Sequence, residues 1–341
     1  MKTTGGVMKI INALLLGLST ALASHAACAQ EFKFRFSADS ATTNIKVQAF
    51  QKWADLVKEK SDGRISIRVY PSAQLYNDVN VIPAVGSGTV DMAAPPSSLL
   101  TSIVPESAVF ELPSLWGISY DQYRQLLAGG FGQELGRRFE EKLGVKILGY
   151  YNMGAWVWGT TRKSSLIQQP ADFRDKKMRV VGNPLVEQTL SAMGAQPVQM
   201  AWPEVPTALL QGVIDGLETT MSGLDSVKGW ELVGNLTYSN HKYTPYVAIM
   251  NMRSWKKLPA DLQQVMLDTM EESVRWQDAE LEKINRNAIE RFREKGVQVK
   301  ELTPAEVRQF AEAAGKAEQA FVQAGKLEKA AKLARESAGV Q

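Results

Sequence analysis

Phe32, Phe34 and Phe36 alternate with Lys33 and Arg35, a period of two that predicts a strand with one buried face. Phe50, Trp53, Ala54 and Val57 then recur at helical spacing, and Gly63 follows the charged stretch that ends the helix. Ile65, Ile67 and Val69 alternate again before Pro71. Strand, helix and strand within about forty residues form a βαβ unit, which implies parallel strands in an α/β sheet.

The alternation continues along the chain. Val79 to Val85 reads as helix, Gly86-Ser87-Gly88 as a turn and Val90 to Ala93 as a short strand. A helical stretch from Tyr120 to Leu143 is interrupted by Gly129-Gly130, and Val145 to Tyr151 is a strand. After an aromatic segment the pattern restarts: Met178 to Val181 as strand, Pro184 to Met193 and Pro203 to Gln211 as helices, Val213 to Leu217 as strand. From Asp261 to Lys295 there is no glycine or proline, and apolar residues from Leu262 to Phe292 keep a helical period. One helix of that length is roughly 50 Å long, more than one small domain needs, so it is expected to be shared by two. Thr303-Pro304-Ala305-Glu306 has the form of a capping box that opens a final helix.

A chain of 341 residues has room for two domains of ordinary size, each with its own core. The first 29 residues stand apart. Lys2 and Lys9 precede an apolar run from Ile10 to Leu22, and Ala27-Cys28-Ala29 supplies small residues for a signal peptidase. Residues 1–29 are therefore read as a cleavable signal, whose loss takes the formal charge from +3 to +1. That balance speaks against nucleic acid as a partner. Cys28 is the only cysteine, and His25 stands where a lipoprotein anchor needs an apolar residue. Cleavage after Ala29 leaves no cysteine, so stability must come from packing.

Beyond the signal the chain has one histidine, His241. Metal sites built on His or Cys clusters and cysteine nucleophiles are excluded, and no Gly-x-Ser-x-Gly elbow accompanies the histidine. Among Asn240, Lys242 and Tyr243, His241 is expected to be a solvated or loop histidine. Asp215 and Glu218 are the remaining acid pair, with nothing beside them that suggests a hydrolase. No enzyme activity, cofactor or metal is expected.

Two segments suggest a binding site. In Lys177-Met178-Arg179-Val180-Val181-Gly182-Asn183-Pro184, Arg179 lies within an apolar strand. It must reach the surface from an edge strand or meet an anion, because an unpaired buried guanidinium is costly. Its planar fork can hold a carboxylate through two parallel hydrogen bonds. Asn183 before Pro184 has the form of a helix cap. The second segment, Trp202 to Glu218, reads as a short helix ending at Gly212 and a strand ending in Asp215-Gly216.

Six segments in order resemble the DctP-type substrate-binding proteins of TRAP (tripartite ATP-independent periplasmic) transporters, a likeness that runs from about Phe32 to Phe310. They are Tyr70-Pro71-Ser72-Ala73-Gln74-Leu75, Val85 to Met92, Phe110-Glu111-Leu112-Pro113, Lys177 to Pro184, Gly194-Ala195-Gln196-Pro197-Val198 and Glu204 to Glu218. The resemblance implies a two-lobed α/β periplasmic binding protein fold with a central ligand cleft, hinge strands and a long helix spanning the lobes. The expected division is 30–153 plus 246–284 for the first lobe and 154–245 plus 285–341 for the second. It also implies that Arg179 anchors a ligand carboxylate and that Trp202 lays an aromatic ring against the ligand. Glu218 and Thr219 fall where relatives reach the cleft, and Asn183 is a further candidate contact, one residue further from Arg179 than in some members. Pro206 and Leu210 replace the family's usual tyrosine and glutamine. Trp156 stands where members similar to the sialic-acid binders carry a second arginine, and tryptophan offers a flat apolar wall instead.

The expectation is therefore a periplasmic solute-binding protein that delivers a small organic acid to inner-membrane permease subunits and acts as a monomer. The preferred ligand is a monocarboxylate with an apolar or aromatic body. A C4-dicarboxylate or sugar-acid binder, or an extracytoplasmic partner of a histidine kinase, remains open.

Overall fold

The structure, a computed structural model, describes residues 31–340. The expected signal, residues 1–29 with Cys28, lies outside the described residues.

Two sheets organise the molecule. The first has the order β2 (Ile65–Tyr70), β1 (Phe32–Ser37), β3 (Met92–Ala93), β10 (Pro245–Asn251), β4 (Val145–Asn152). β1 runs parallel to β2 and β3, as the βαβ pattern requires, while β10 runs antiparallel to β3 and β4. The alternating phenylalanines of β1 bury their rings under the Ile45–Lys60 helix. Phe36 and Phe50 meet at 4.5 Å between centroids. The Asn44 side chain caps that helix by accepting from the Lys46 amide at 2.9 Å.

The second sheet has the order β11 (Gln298–Glu301), β9 (Asn235–Tyr238), β5 (Trp156–Thr160), β8 (Gly216–Thr220), β6 (Lys177–Val180), β7 (Gln196–Gln199). The chain passes between the sheets from Asn152 to Trp156 and from Tyr238 to Pro245. A third crossing is the helix Ala260–Glu294, 35 residues long. Its first half buries Leu262, Met266, Met270 and Val274 in the core of the first sheet. Its second half buries Ala288, Ile289 and Phe292 in the core of the second. One glycine-free amphipathic helix thus contributes to two hydrophobic cores.

Three expectations need correction. The strand placed at Val213–Leu217 is Gly216–Thr220. Gly212, with φ +71°, ends the preceding helix in the left-handed region, so the apolar pair after it lies in the turn, where Val213 is 49% exposed. The C-terminal segment does not stay with the second lobe. The Pro304–Gly325 helix, opened by the Thr303 capping box, seats Phe310 beside Trp158 and Phe173 in the second lobe. The Glu328–Ser337 helix then returns to the first, where Ala331, Ala334 and Ala338 pack with Phe131 and Leu135. Finally, His241 lies in a loop, one of the two expected settings, but it is fully buried there rather than solvated.

Candidate functional site

The carboxyl end of β6 brings Arg179 to the junction of the two lobes. β6 is an interior strand between β8 and β7, and Arg179 is 2% exposed, so the edge-strand reading of this arginine does not hold. Its Nε and Nη2 donate to the Met200 carbonyl at 3.0 and 2.9 Å, and Nη1 to the Glu218 carbonyl at 3.5 Å. Of the guanidinium's five N–H groups this leaves two without partners among the described residues, one on each terminal nitrogen. Both backbone acceptors are neutral, so the cation keeps its charge uncompensated at contact distance. The Trp202 ring lies 5.6 Å from the guanidinium carbon, close enough for a cation–π contribution. Burial pulls the Arg179 pKa down, and the charges of Asp78 and Glu218 oppose that shift.

Arg179 opens onto a small cavity of about 30 Å³. The second lobe supplies Trp156, Val181, Trp202, Thr219 and Thr220 to its wall. The first supplies Asp39, Ser40, Asn44, Asp78, Pro96 and Tyr246. The lobes are nearly shut on the site, and direct bonds hold them so. Thr43 Oγ1 donates to the Ser226 carbonyl at 3.1 Å on one flank. On the other, Asn183 Nδ2 donates to Thr101 Oγ1 at 2.9 Å and to the Ser98 carbonyl at 3.4 Å.

Arg179, Trp156, Trp202 and Thr219 thus share one cavity, whereas Glu218 and Asn183 do not line it. Asn183 is the cap the sequence suggests, accepting from the Leu185 amide at 2.9 Å, and its amide group fastens the lobes together. Strand register explains Glu218. It pairs with Trp158, whose side chain is in the core, while its neighbour Thr219 faces the cavity.

The Glu218 carboxylate instead joins a buried ionic cluster behind the cavity. Lys242 Nζ lies 2.7 Å from Glu218 Oε1 and 2.6 Å from Glu111 Oε2, joining a carboxylate from each lobe. His241 Nε2 donates to Glu218 Oε1 at 3.1 Å, and Ser239 Oγ lies 2.7 Å from Nδ1. Burial raises the Glu218 pKa, but Lys242 and His241 outweigh it and bring the group down to about 2. Burial brings His241 down to about 4, against the pull of Glu218. Lys242 also lies 4.2 Å above the ring of Trp156, bracing that wall from behind.

The first lobe's contribution was missed in the sequence. Lys46 Nζ lies 2.6 Å from Asp39 Oδ1 and 4.0 Å over the Tyr246 ring. Burial lowers the Lys46 pKa, but Asp39 and Tyr246 outweigh it and hold the ammonium above its ordinary range. Asp39 and Lys46 are seven residues apart, at a helix entrance, where charged residues most often face solvent. Asp78 lies in a turn that gave no signal beyond its loop composition.

Comparisons with known proteins agree with this architecture. The model of the family described as DctP, bacterial extracellular solute-binding protein, family 7, matches residues 36–324. The C4-dicarboxylate-binding periplasmic protein DctP of Rhodobacter capsulatus is 30% identical over 301 residues, covering 87% of this chain and 89% of that one. A TRAP periplasmic solute-binding protein of Sulfurospirillum deleyianum, solved with bound succinate, superimposes with a TM-score of 0.83 at 28% identity, covering 91% of this chain and 99% of that one. Another from Desulfovibrio salexigens, solved with bound orotic acid, gives a TM-score of 0.84 at 24% identity over 91% of this chain and 99% of that one.

Proposed function

Since this chain belongs to family 7 of the bacterial extracellular solute-binding proteins, the DctP-type binding subunits of TRAP transporters, we propose that it captures a monocarboxylate with an apolar or aromatic body, held by Arg179. At the level of the family, it is a transport protein rather than an enzyme. It binds a small organic acid for a TRAP permease, and periplasmic localisation is typical of such proteins.

One observation carries the finer reading: a buried guanidinium with one free N–H on each terminal nitrogen faces a cavity walled by both lobes. A carboxylate accepts from both at once, which a point charge such as lysine cannot match in geometry. Trp156 and Trp202 offer the rest of the ligand flat apolar surface, and Thr219 and Thr220 line the same cavity. The lobes part to admit the acid and close over it. Because the ligand touches both, it favours the closed form by its contacts to the second wall. The closed molecule then presents its cargo to the permease.

A panel of acids tested by thermal shift separates the ligand classes. Stabilisation by aromatic or apolar monocarboxylates supports the reading, whereas stabilisation by succinate or malate alone defeats it. The succinate-bound relative gives the dicarboxylate alternative its weight.

A further inference from the structure

The first lobe gives the cavity wall carboxylates of its own. Two carboxylates, Asp39 and Asp78, come to the cavity from the first lobe, and they are not equivalent. Asp39 is committed, with Lys46 Nζ at 2.6 Å and the Ser40 hydroxyl at 3.4 Å. Asp78 keeps one oxygen free: it is 5% exposed, lines the cavity and meets the Trp202 backbone amide, but its Oδ1 has no hydrogen-bond partner among the described residues. The turn that carries it is pinned by Asn77, whose Oδ1 accepts from the Asn80 amide at 2.8 Å.

From this asymmetry we propose that Asp78 is a specificity-determining residue, accepting a hydrogen bond from an O–H or N–H at the ligand's far end and rejecting a second carboxylate there. The inference rests on the reading that Arg179 takes the first carboxylate. An ionised carboxylate only accepts, so a hydroxyl or amide N–H satisfies it and a second ligand carboxylate repels it. Inside a closed, water-poor gap both effects are larger than in bulk solvent. Burial and the nearby Asp39 charge raise the Asp78 pKa, and Arg179 and Lys46 oppose the rise. With Asp39 spent on Lys46, Arg179 and Asp78 remain as the two charged groups of the cavity wall that lack an ionic partner at contact distance. The ligand class that fits is a monocarboxylate with a hydroxyl or N–H several bonds from its carboxylate.

Two matched series test this by titration calorimetry. One is butyrate, 4-hydroxybutyrate, succinamate and succinate; the other is benzoate, 4-hydroxybenzoate, 4-carbamoylbenzoate and terephthalate. Within a series only the far group changes, so rank within a series reports on Asp78. Which series binds reports on the ligand body. In the wild type, the hydroxyl and amide members should bind roughly 10-fold or more tighter than the member without a donor, and the dicarboxylate most weakly. Asp78→Asn keeps the shape, removes the charge and adds a donor. It should narrow the gap between the hydroxyl member and its parent and strengthen the dicarboxylate about 10-fold. Arg179→Ala should weaken every member regardless of its far group. If Arg179→Ala has no effect, the carboxylate reading falls and the Asp78 inference with it. If Arg179→Ala weakens all members but the wild type prefers the dicarboxylate, or Asp78→Asn leaves the ranking unchanged, only the Asp78 inference falls. The wild-type ranking decides even if the Asp78 variant does not fold.

Discussion

Replacing Lys242 by methionine removes the single cation that joins two buried carboxylates from opposite lobes. The side chains of Lys242, Glu111 and Glu218 are 3%, 0% and 4% exposed, so solvent screens little of their interaction. Methionine restores most of the packed volume but none of the charge. Breaking such a buried set by deleting one partner costs about 3–5 kcal/mol, because the remaining charges stay desolvated and unpaired. Glu218 keeps its bond from His241, so Glu111, whose pKa burial already raises, is the group that takes up a proton in the variant. Its folded pKa then lies further above the unfolded value of about 4.3. A carboxyl raised on folding binds more protons in the folded state, so stability falls as pH rises through that interval and is regained as pH drops towards 4.3. Thermal unfolding of Lys242→Met between pH 5 and 8 should show a deficit of several degrees at the upper end that shrinks on acidification. The double variant Glu111→Gln, Lys242→Met removes the stranded charge and should recover more than half of the loss. An unchanged midpoint in the single variant, or a deficit independent of pH that the double variant does not relieve, would refute the argument.

Four further outcomes are expected. Arg179→Ala should weaken binding of the natural acid by about 2–5 kcal/mol, read by calorimetry, since a buried charge pair loses one member. Asn183→Ser keeps a cap acceptor but loses the amide donor to Thr101, so ligand dissociation measured by stopped flow should quicken about 5–10-fold with little change in stability. His241 takes up its proton only around pH 4 when folded, whereas it does so around 6.5 when unfolded. The unfolded state therefore binds more protons between these values, and stability conferred at neutral pH is lost on acidification through that window. His241→Phe should flatten this part of the midpoint-against-pH curve. Gly216→Ala places a Cβ 2.5 Å from the Gly159 carbonyl oxygen on the paired strand, a backbone atom that cannot step aside. A loss of about 1–3 kcal/mol in chemical denaturation should follow.

Much of the fold could be read from the sequence because its elements announce themselves locally. The alternating phenylalanines of β1, the Thr303 capping box and the long run without glycine or proline each follow one short-range rule. The edge strands β7 and β11 lacked such a signal: Gln196–Gln199 and Gln298–Glu301 are half-exposed and polar, as an unpaired sheet margin tolerates. At the site, Arg179 was legible because an arginine in an apolar strand demands an explanation. Register, not spacing, decides which neighbour in a strand meets the cavity, and it turns Glu218 away from it while Thr219 faces it. The burial of His241 was illegible for a related reason. Its polar neighbours suggest solvent, yet Glu218 from a distant strand and Ser239 from the same loop satisfy it in the core. Asp78 needed three-dimensional placement to matter at all.

The returning C-terminal helix has a practical consequence. The described chain starts in β1 and finishes beside Phe131 and Leu135, so its two ends belong to the same half of the molecule. A surface linker or fusion partner attached at either end would hold that half still. The other half, carrying the arginine and both tryptophans, would swing without a load, which makes the protein suited to immobilised sensing of its cargo.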